Sequence, residues 1–233
     1  MQLKDIIIIK GHIVLKTGLH IGGSKDDIEI GGIDSPVIKH PDGEPYIPGS
    51  SLKGKMRSLM EWMEAVVRPD GRVHTCGDGT CPVCRIFGTT NENWAFGPTR
   101  IAVRDAFMDS SWRNGIVERG LSLTEEKMEN WINRLQGRAG DGGLRNIERV
   151  PAGARFDFEI SYRVLEIDGD SQADVENFRK VLDVLRLVEM DSLGGSGSRG
   201  YGRVAFEHLV ITKEGKEAPL TLPTADEIFR RAA

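Results

Sequence analysis

The chain has 233 residues, 39% hydrophobic and 28% charged, enough for one domain with a sizeable core. The longest apolar run, Ile6–Ile9, falls far short of the roughly 18 residues that cross a bilayer, and Met1–Asp5 lacks a secretory pattern, so a cytoplasmic protein without a membrane partner is expected. A formal charge of −4 gives no global positive field for nucleic acid, although a basic groove can sit on an acidic body, and three cysteines cannot build a disulfide framework.

In chain order, Lys4–Lys16 is rich in Ile and Val and predicts a buried strand. An irregular stretch with four prolines follows from Gly18 to Gly49. Ser50–Val67 predicts a helix, with Ser50 or Ser51 as cap and Leu52, Met56, Leu59, Met60, Met63 and Val67 at helical spacing. Residues 68–100 read as loop around the cysteines, and Arg100–Phe107 as a strand. Thr124–Gln136 predicts a short helix with Met128, Trp131, Ile132 and Leu135 on one face, running into a mobile loop or hairpin tip at Gly137–Gly143. Ala154–Val164 alternates apolar and polar residues and predicts a strand. A helix capped by Ser171 should reach Met190, with Val175, Phe178, Leu182 and Leu185 inward, before a strand at Arg203–Ile211. The order β-α-β-β-α-β suggests an α+β, ferredoxin-like (RRM-like) fold.

The sharpest spacing is His74, Cys76, Cys81 and Cys84. Three thiolates and an imidazole within eleven residues can close a tetrahedron around structural zinc (Zn2+), and Gly77, Gly79 and Pro82 permit the turns. Reduced buried cysteines or a Cys81–Cys84 redox pair are the plainer alternatives, and His74 is the most replaceable ligand. Gly49–Met56 nearly matches a P-loop, but Met56 stands where magnesium needs Ser or Thr. What survives is a basic helix start with Lys53, Lys55 and Arg57, open to reading as an anion site or as a solvated face. In Gly194–Gly202, the backbone of Gly197, Ser198 and Gly200 can approach a phosphate chain, with Arg199 adding charge and Tyr201 a stacking face. That composition favours ligand contact over a linker. His20 lies in a loop and could touch phosphate or simply be a surface histidine. Asp34 in a Gly/Pro loop reads, on its own, as a turn residue.

Together Thr17–Gly23, Gly31–Val37, Pro45–Lys55, Asn146–Gly153 and Gly194–Gly202 resemble, in that order, the repeat-associated mysterious protein (RAMP) superfamily of CRISPR systems. Within it they most resemble the multi-copy backbone subunits of Csm-type (type III-A) effector complexes. The resemblance implies a single RAMP-type domain over 1–233, a ferredoxin-like palm with a zinc-bearing insertion at about 68–99 and a thumb hairpin at about 110–149. It also implies a filament of copies along a guide CRISPR RNA, with other Csm-type subunits as partners. The resemblance further implies that complementary target RNA is cut at regular intervals by its own 2′-OH, with Mg2+ or another divalent cation, and that the family's essential aspartate falls on Asp34 as metal ligand or base. Arg134, Arg138, Arg145 and Arg149 would be available to RNA in the thumb. A guide-binding scaffold with a silent Asp34, or a zinc-stabilised RNA-binding protein outside the family, remain the competing readings.

Overall fold

The computed structural model describes residues 1–23, 33–140 and 143–232. Strand β1 (Gln2–Leu15) is followed, after the irregular stretch, by helix α1 (Gly49–Met63). Ser50 and Ser51 lie inside that helix and make no side-chain cap. Pro48 occupies the cap position, and the first amide, Gly49 N, donates 2.8 Å to Asp105 Oδ1 from far along the chain. A Cβ on Gly49 would stand 2.2 Å from the Val103 carbonyl, so only glycine lets the helix start so close to the next strand.

The stretch read as loop contains a short helix, α2 (Pro82–Phe87), which starts on proline directly after Cys81. The expected strand Arg100–Phe107 is split into β2 (Ile101–Val103) and β3 (Phe107–Met108). Helix α3 (Ser110–Glu118) follows, capped by Asp109, whose side chain accepts the Trp112 amide at 2.8 Å.

Residues 124–136 are not a helix. They form β4 (Glu125–Glu129) and β5 (Ile132–Asn133); β5 pairs with β6 (Arg138–Ala139), and β4 with β7 (Arg145–Arg149). The helical spacing of Met128, Trp131, Ile132 and Leu135 has no surface to bury against, and Leu135 is 99% exposed. Cross-strand contacts hold the hairpin instead: Arg149 Nε donates 2.7 Å to Glu125 Oε1 and Asn146 Nδ2 donates 2.7 Å to Glu126 Oε2.

Strand β8 (Arg155–Glu166), helix α4 (Gln172–Met190) and strand β9 (Val204–Lys213) fall close to expectation. Ser171 holds the cap position of α4 without a side-chain hydrogen bond, and Val175 points outward. Val181, Val184 and Val188 join Phe178 and Leu185 on the buried face, which is rotated from the expected one. Strand β10 (Lys216–Pro219) and helix α5 (Ala225–Ala232) end the chain.

The main sheet runs β10-β9-β1-β8-β2, with β3 also on β8, and every pairing is antiparallel. Helix α1 links β1 to β2 and α4 links β8 to β9, which gives the β-α-β-β-α-β order. Both helices pack together on one face. There Ile9, Ile13, Phe156, Ile160 and Tyr162 of the strands meet Leu52, Met56, Met60 and Leu185 of the helices, all essentially inaccessible. Each such side chain contributes about 1.5–3 kcal/mol on burial. Among the described residues no helix is long and apolar enough to cross a membrane.

Candidate nucleic-acid interface and metal centre

The cysteine loop closes on itself beside α1. Cys76 Sγ and Cys84 Sγ stand 3.6 Å apart, Cys81 Sγ is 3.5 Å from His74 Nε2, and the four ligand atoms lie within 4.8 Å of one another. A tetrahedral zinc with Zn–S near 2.3 Å and Zn–N near 2.0–2.1 Å spaces its ligands at about 3.8 Å (S–S) and about 3.6 Å (S–N). The donor set therefore fits a closed, structural ion site, and soft thiolates with one imidazole are the chemistry that zinc takes. Burial pushes the Cys81 thiol up to about 12 and raises Cys84 as well, so a bound cation must displace protons from both.

Arg57 belongs to this loop rather than to a free basic face. Its Nε pairs with Glu61 Oε1 at 3.0 Å and a terminal nitrogen donates 2.6 Å to the His74 carbonyl, while Glu61 accepts the His74 amide. Just after Cys84, Arg85 reaches Asp174, which is fully buried and also receives Arg100 and the Leu165 amide. The loop is thus tied to both α1 and α4. Lys55 is engaged with Asp191 at 2.6 Å. Lys53 is half-buried; desolvation, and then the Arg57 charge, lower its pKa.

Four of the five segments carrying the family resemblance converge elsewhere, around β7, while Pro45–Lys55 lies against Asp105 and Ala106. The Leu19 and Val150 backbones exchange hydrogen bonds, Ile38 N donates to Ile21 O, and Gly195 N donates to His20 O. His20 Nδ1 lies 2.7 Å from the Glu148 carbonyl, so that nitrogen donates and holds the ring against β7. Asp34 is exposed, and its Oδ2 accepts the Asn146 amide at 2.8 Å. Ser35 O accepts the next-but-one amide, Glu148 N, at 3.0 Å. The neighbouring Gly31 and Gly32 lie outside the described residues, as do Asp141 and Gly142 of the expected hairpin tip.

Glu148 is the organising residue that sequence reasoning missed. Its buried carboxylate takes the Val37 amide, Lys39 Nζ and Thr124 Oγ1, all at 2.6–2.9 Å. Burial alone would raise its pKa, but these partners together hold it below the usual carboxylate value. A glutamate between Ile147 and Arg149 carries no spacing that distinguishes it from a surface charge.

The glycine loop takes a single 3₁₀ turn at Gly197–Arg199. The expected stacking face of Tyr201 is unavailable. The residue is 1% exposed, with Lys127 over its ring at 4.6 Å, Arg149 at 5.1 Å, and its hydroxyl donating 2.8 Å to Glu129 Oε1. Tyr201 clamps the loop to β4 and β7 instead. Arg149 is further held by Glu125 at 2.7 Å, whereas Arg199 stays largely exposed with one 3.2 Å contact to Glu129. The loop therefore offers the Gly197 and Ser198 amides and the Arg199 side chain to a ligand, while the Arg199 and Gly200 amides are taken by the Ser196 and Gly197 carbonyls and Tyr201 is withheld.

The model of the RAMP superfamily matches residues 12–205. A protein of Methanothermobacter thermautotrophicus named CRISPR system Cms endoribonuclease Csm3 is 44% identical, over 93% of this chain and 90% of its own. Its namesake in Methanocaldococcus jannaschii is 40% identical over 93% and 85%. A solved structure described as the Csm3-Csm4 subcomplex of the type III-A CRISPR-Cas interference complex aligns with a TM-score of 0.59 at 29% identity, covering 100% of this chain and 97% of that one. The chain belongs to the RAMP superfamily, and its mixed α/β fold is the fold of that family.

Proposed function

We propose that the chain is an RNA-cleaving backbone subunit of a type III-A CRISPR complex, resident in the cytoplasm. The observation that carries this reading is the convergence of Thr17–Gly23, Asp34–Val37 and the Gly194–Gly202 loop on β7, which makes one polar surface of three separated segments. In this reading the main sheet is a ferredoxin-like palm, α3 and β4–β7 form the thumb at about 110–149, and the zinc-bearing insertion occupies about 68–99. Copies of the chain bind a guide CRISPR RNA side by side, and complementary target RNA lies across them, next to other Csm-type subunits.

Backbone phosphates of the guide meet His20, Lys53, Lys55, the amides of Gly197 and Ser198 and the Arg199 side chain, contacts that position RNA without reading its sequence. Lys55 must exchange Asp191 for phosphate, and Arg57 serves by anchoring the metal loop. At the cut, the target's 2′-OH attacks its own phosphorus in line, the bond to the 5′-oxygen breaks, and the proton ends on that oxygen. The products are a 2′,3′-cyclic phosphate and a 5′-hydroxyl. In-line geometry is the main requirement, which a nucleotide displaced from the stack supplies.

Asp34 offers one carboxylate oxygen beyond the one bonded to Asn146, matching the way Mg2+ is held by one or two carboxylates plus substrate phosphate. A divalent cation there would neutralise charge on the phosphate. Asp34 itself either binds that ion or takes the 2′ proton.

The test is single-turnover cleavage of an end-labelled complementary RNA by the assembled complex, with the product ends mapped. Regularly spaced cuts bearing 2′,3′-cyclic phosphates support the reading. An uncut target that is nonetheless tightly bound favours the scaffold reading, in which Asp34 only fixes its turn.

A further inference from the structure

The face of the main sheet turned away from α1 and α4 carries a second group of metal-ligating side chains. His12 precedes the buried Ile13, and its ladder partner Asp157 stands between the buried Phe156 and Phe158, so both point to that open face. Asp109, directly after β3, reaches the same point: one donor atom from each of His12, Asp109 and Asp157 lies within 4.8 Å of the others. Beside them β9 carries one extra residue, since Lys10 faces Val210 while His12 faces Glu207. In this bulge His208 has a φ of 51° and sets its ring edge-on to His12, with 5.8 Å between centroids. A cleft of about 410 Å³ lies here, with His12, Asp157 and His208 in its lining.

The charges in this group do not balance. Among the described residues neither Asp109 nor Asp157 has a Lys or Arg at ion-pair distance, and the nearby Lys10 and Lys16 are taken by Glu159 and Glu207. Asp109 uses one oxygen to cap α3 through the Trp112 amide. His12 Nδ1 lies 2.7 Å from Asp157 Oδ1, but that oxygen is off the N–H direction, and the nitrogen is shut off from water without a hydrogen-bond partner among the described residues. A histidinium paired with Asp157 would aim its proton at the carboxylate. A cation between them satisfies the nitrogen lone pair and both carboxylates at once. Donors about 2.1 Å from one ion and at right angles stand about 3 Å apart. The 2.7 Å pair therefore needs only a small opening.

We infer that His12, Asp109 and Asp157 form a site for a divalent transition-metal ion, separate from the cysteine loop, with water completing the coordination on the exposed side of Asp157. One imidazole with two carboxylates is a donor set for ions from Mn2+ to Zn2+ and lacks the thiolates that select softer ones. Such an ion clips β1 and β8 to the start of α3. The site does not depend on the RNA-cleaving reading above.

The test titrates the purified full chain, without RNA, with Mn2+ and reads the loss of the free ion's electron paramagnetic resonance signal. Mn2+ suits oxygen donors and leaves a thiolate loop alone. Wild type should bind one Mn2+ per chain and melt at a higher temperature with the ion than without it. His12→Gln and Asp157→Asn should each weaken binding at least about tenfold, since a lost ligand costs no less than a lost supporting hydrogen bond. Asp109→Asn should do the same while keeping a cap acceptor for the Trp112 amide, and so α3. Asp34→Asn should bind the ion as wild type does. Uptake of neither Mn2+ nor zinc beyond one equivalent would overturn the site, as would equal Mn2+ binding in wild type and His12→Gln. Binding lost in Asp34→Asn alone would assign the ion to the Asp34 loop and overturn it too.

Discussion

Asp34 Oδ2 accepts the backbone amide of Asn146 at 2.8 Å, which ties its loop to β7 and leaves the second carboxylate oxygen without a partner among the described residues. The two oxygens suggest a division between shaping the loop and doing chemistry. Asp34→Asn keeps an acceptor for the Asn146 amide but loses the charge needed to ligate a cation or take a proton. It should assemble and bind target RNA within about twofold of wild type. Cleavage should fall about 10²–10⁴-fold, the usual range for one acid–base group. Cleavage retained above about a third of the wild-type rate would end the catalytic assignment. Asp34→Ala, which also frees the amide, should add a loss of loop order that Asp34→Asn does not show.

Lys53 and Arg57 lie one turn apart on α1 but should respond differently. Lys53 has no ion-pair partner among the described residues, so Lys53→Glu should weaken RNA binding across all sequences and flatten the salt dependence by about one contact's worth. Arg57 is bonded to Glu61 and the His74 carbonyl. Arg57→Ala should instead lower metal retention and melting temperature while leaving the salt slope unchanged. Filter binding over a salt series, together with metal analysis of each variant, separates the two; equal effects of both substitutions on the salt slope would refute the distinction.

The metal loop should hold one zinc per chain through His74, Cys76, Cys81 and Cys84. Because burial keeps Cys81 and Cys84 protonated when no cation is present, binding must release protons, and apparent affinity should rise with pH. Chelation, or Cys81→Ser, should also disturb α2 and thereby the Arg85–Asp174 pair. In a domain of this size each kcal/mol lost lowers the melting temperature by about 2–4 °C. Protein purified without added metal that contains less than about a tenth of an equivalent of zinc, with an unchanged melting temperature after chelation, would remove the site.

The main sheet and its two long helices were legible because they carry their own periodicity: Phe156, Phe158, Ile160 and Tyr162 alternate inward whatever surrounds them. The region from Glu125 to Arg149 was not, since its pairing depends on partners about twenty residues away and its apolar residues happen to fall at helical spacing. The clustering of His74, Cys76, Cys81 and Cys84 was legible from local spacing alone. Glu148, Glu129 and the enclosed position of Tyr201 were not, because each is defined by contacts from distant segments. Arg57 shows the same limit: its sequence neighbours suggest a phosphate contact, whereas its spatial neighbours are Glu61 and His74.

Glu148 should make the order of the Asp34 loop depend on pH in the acid range. Its carboxylate ties Val37 and Lys39 to Thr124, across three separate segments. Desolvation pulls its pKa upward, but the Lys39, Thr124 and Val37 hydrogen bonds outweigh it and leave the group below its ordinary 4.5. A carboxylate with a lower pKa in the folded state contributes stability that is fully present above the unfolded value and is lost as pH falls through the folded one. Glu148→Gln removes the charge but keeps the side chain's shape, and leaves Lys39 with a weaker partner. At pH 7 it should cost about 1–3 kcal/mol in urea unfolding. That difference should shrink steadily as the pH drops below about 4.5, because the wild-type carboxyl is then protonated as well. Zinc content should not change, since the metal loop shares no hydrogen bond with Glu148 among the described residues. A gap between wild type and variant that stays constant from pH 7 down to about pH 3 would show that the ionised form of Glu148 does not hold this loop.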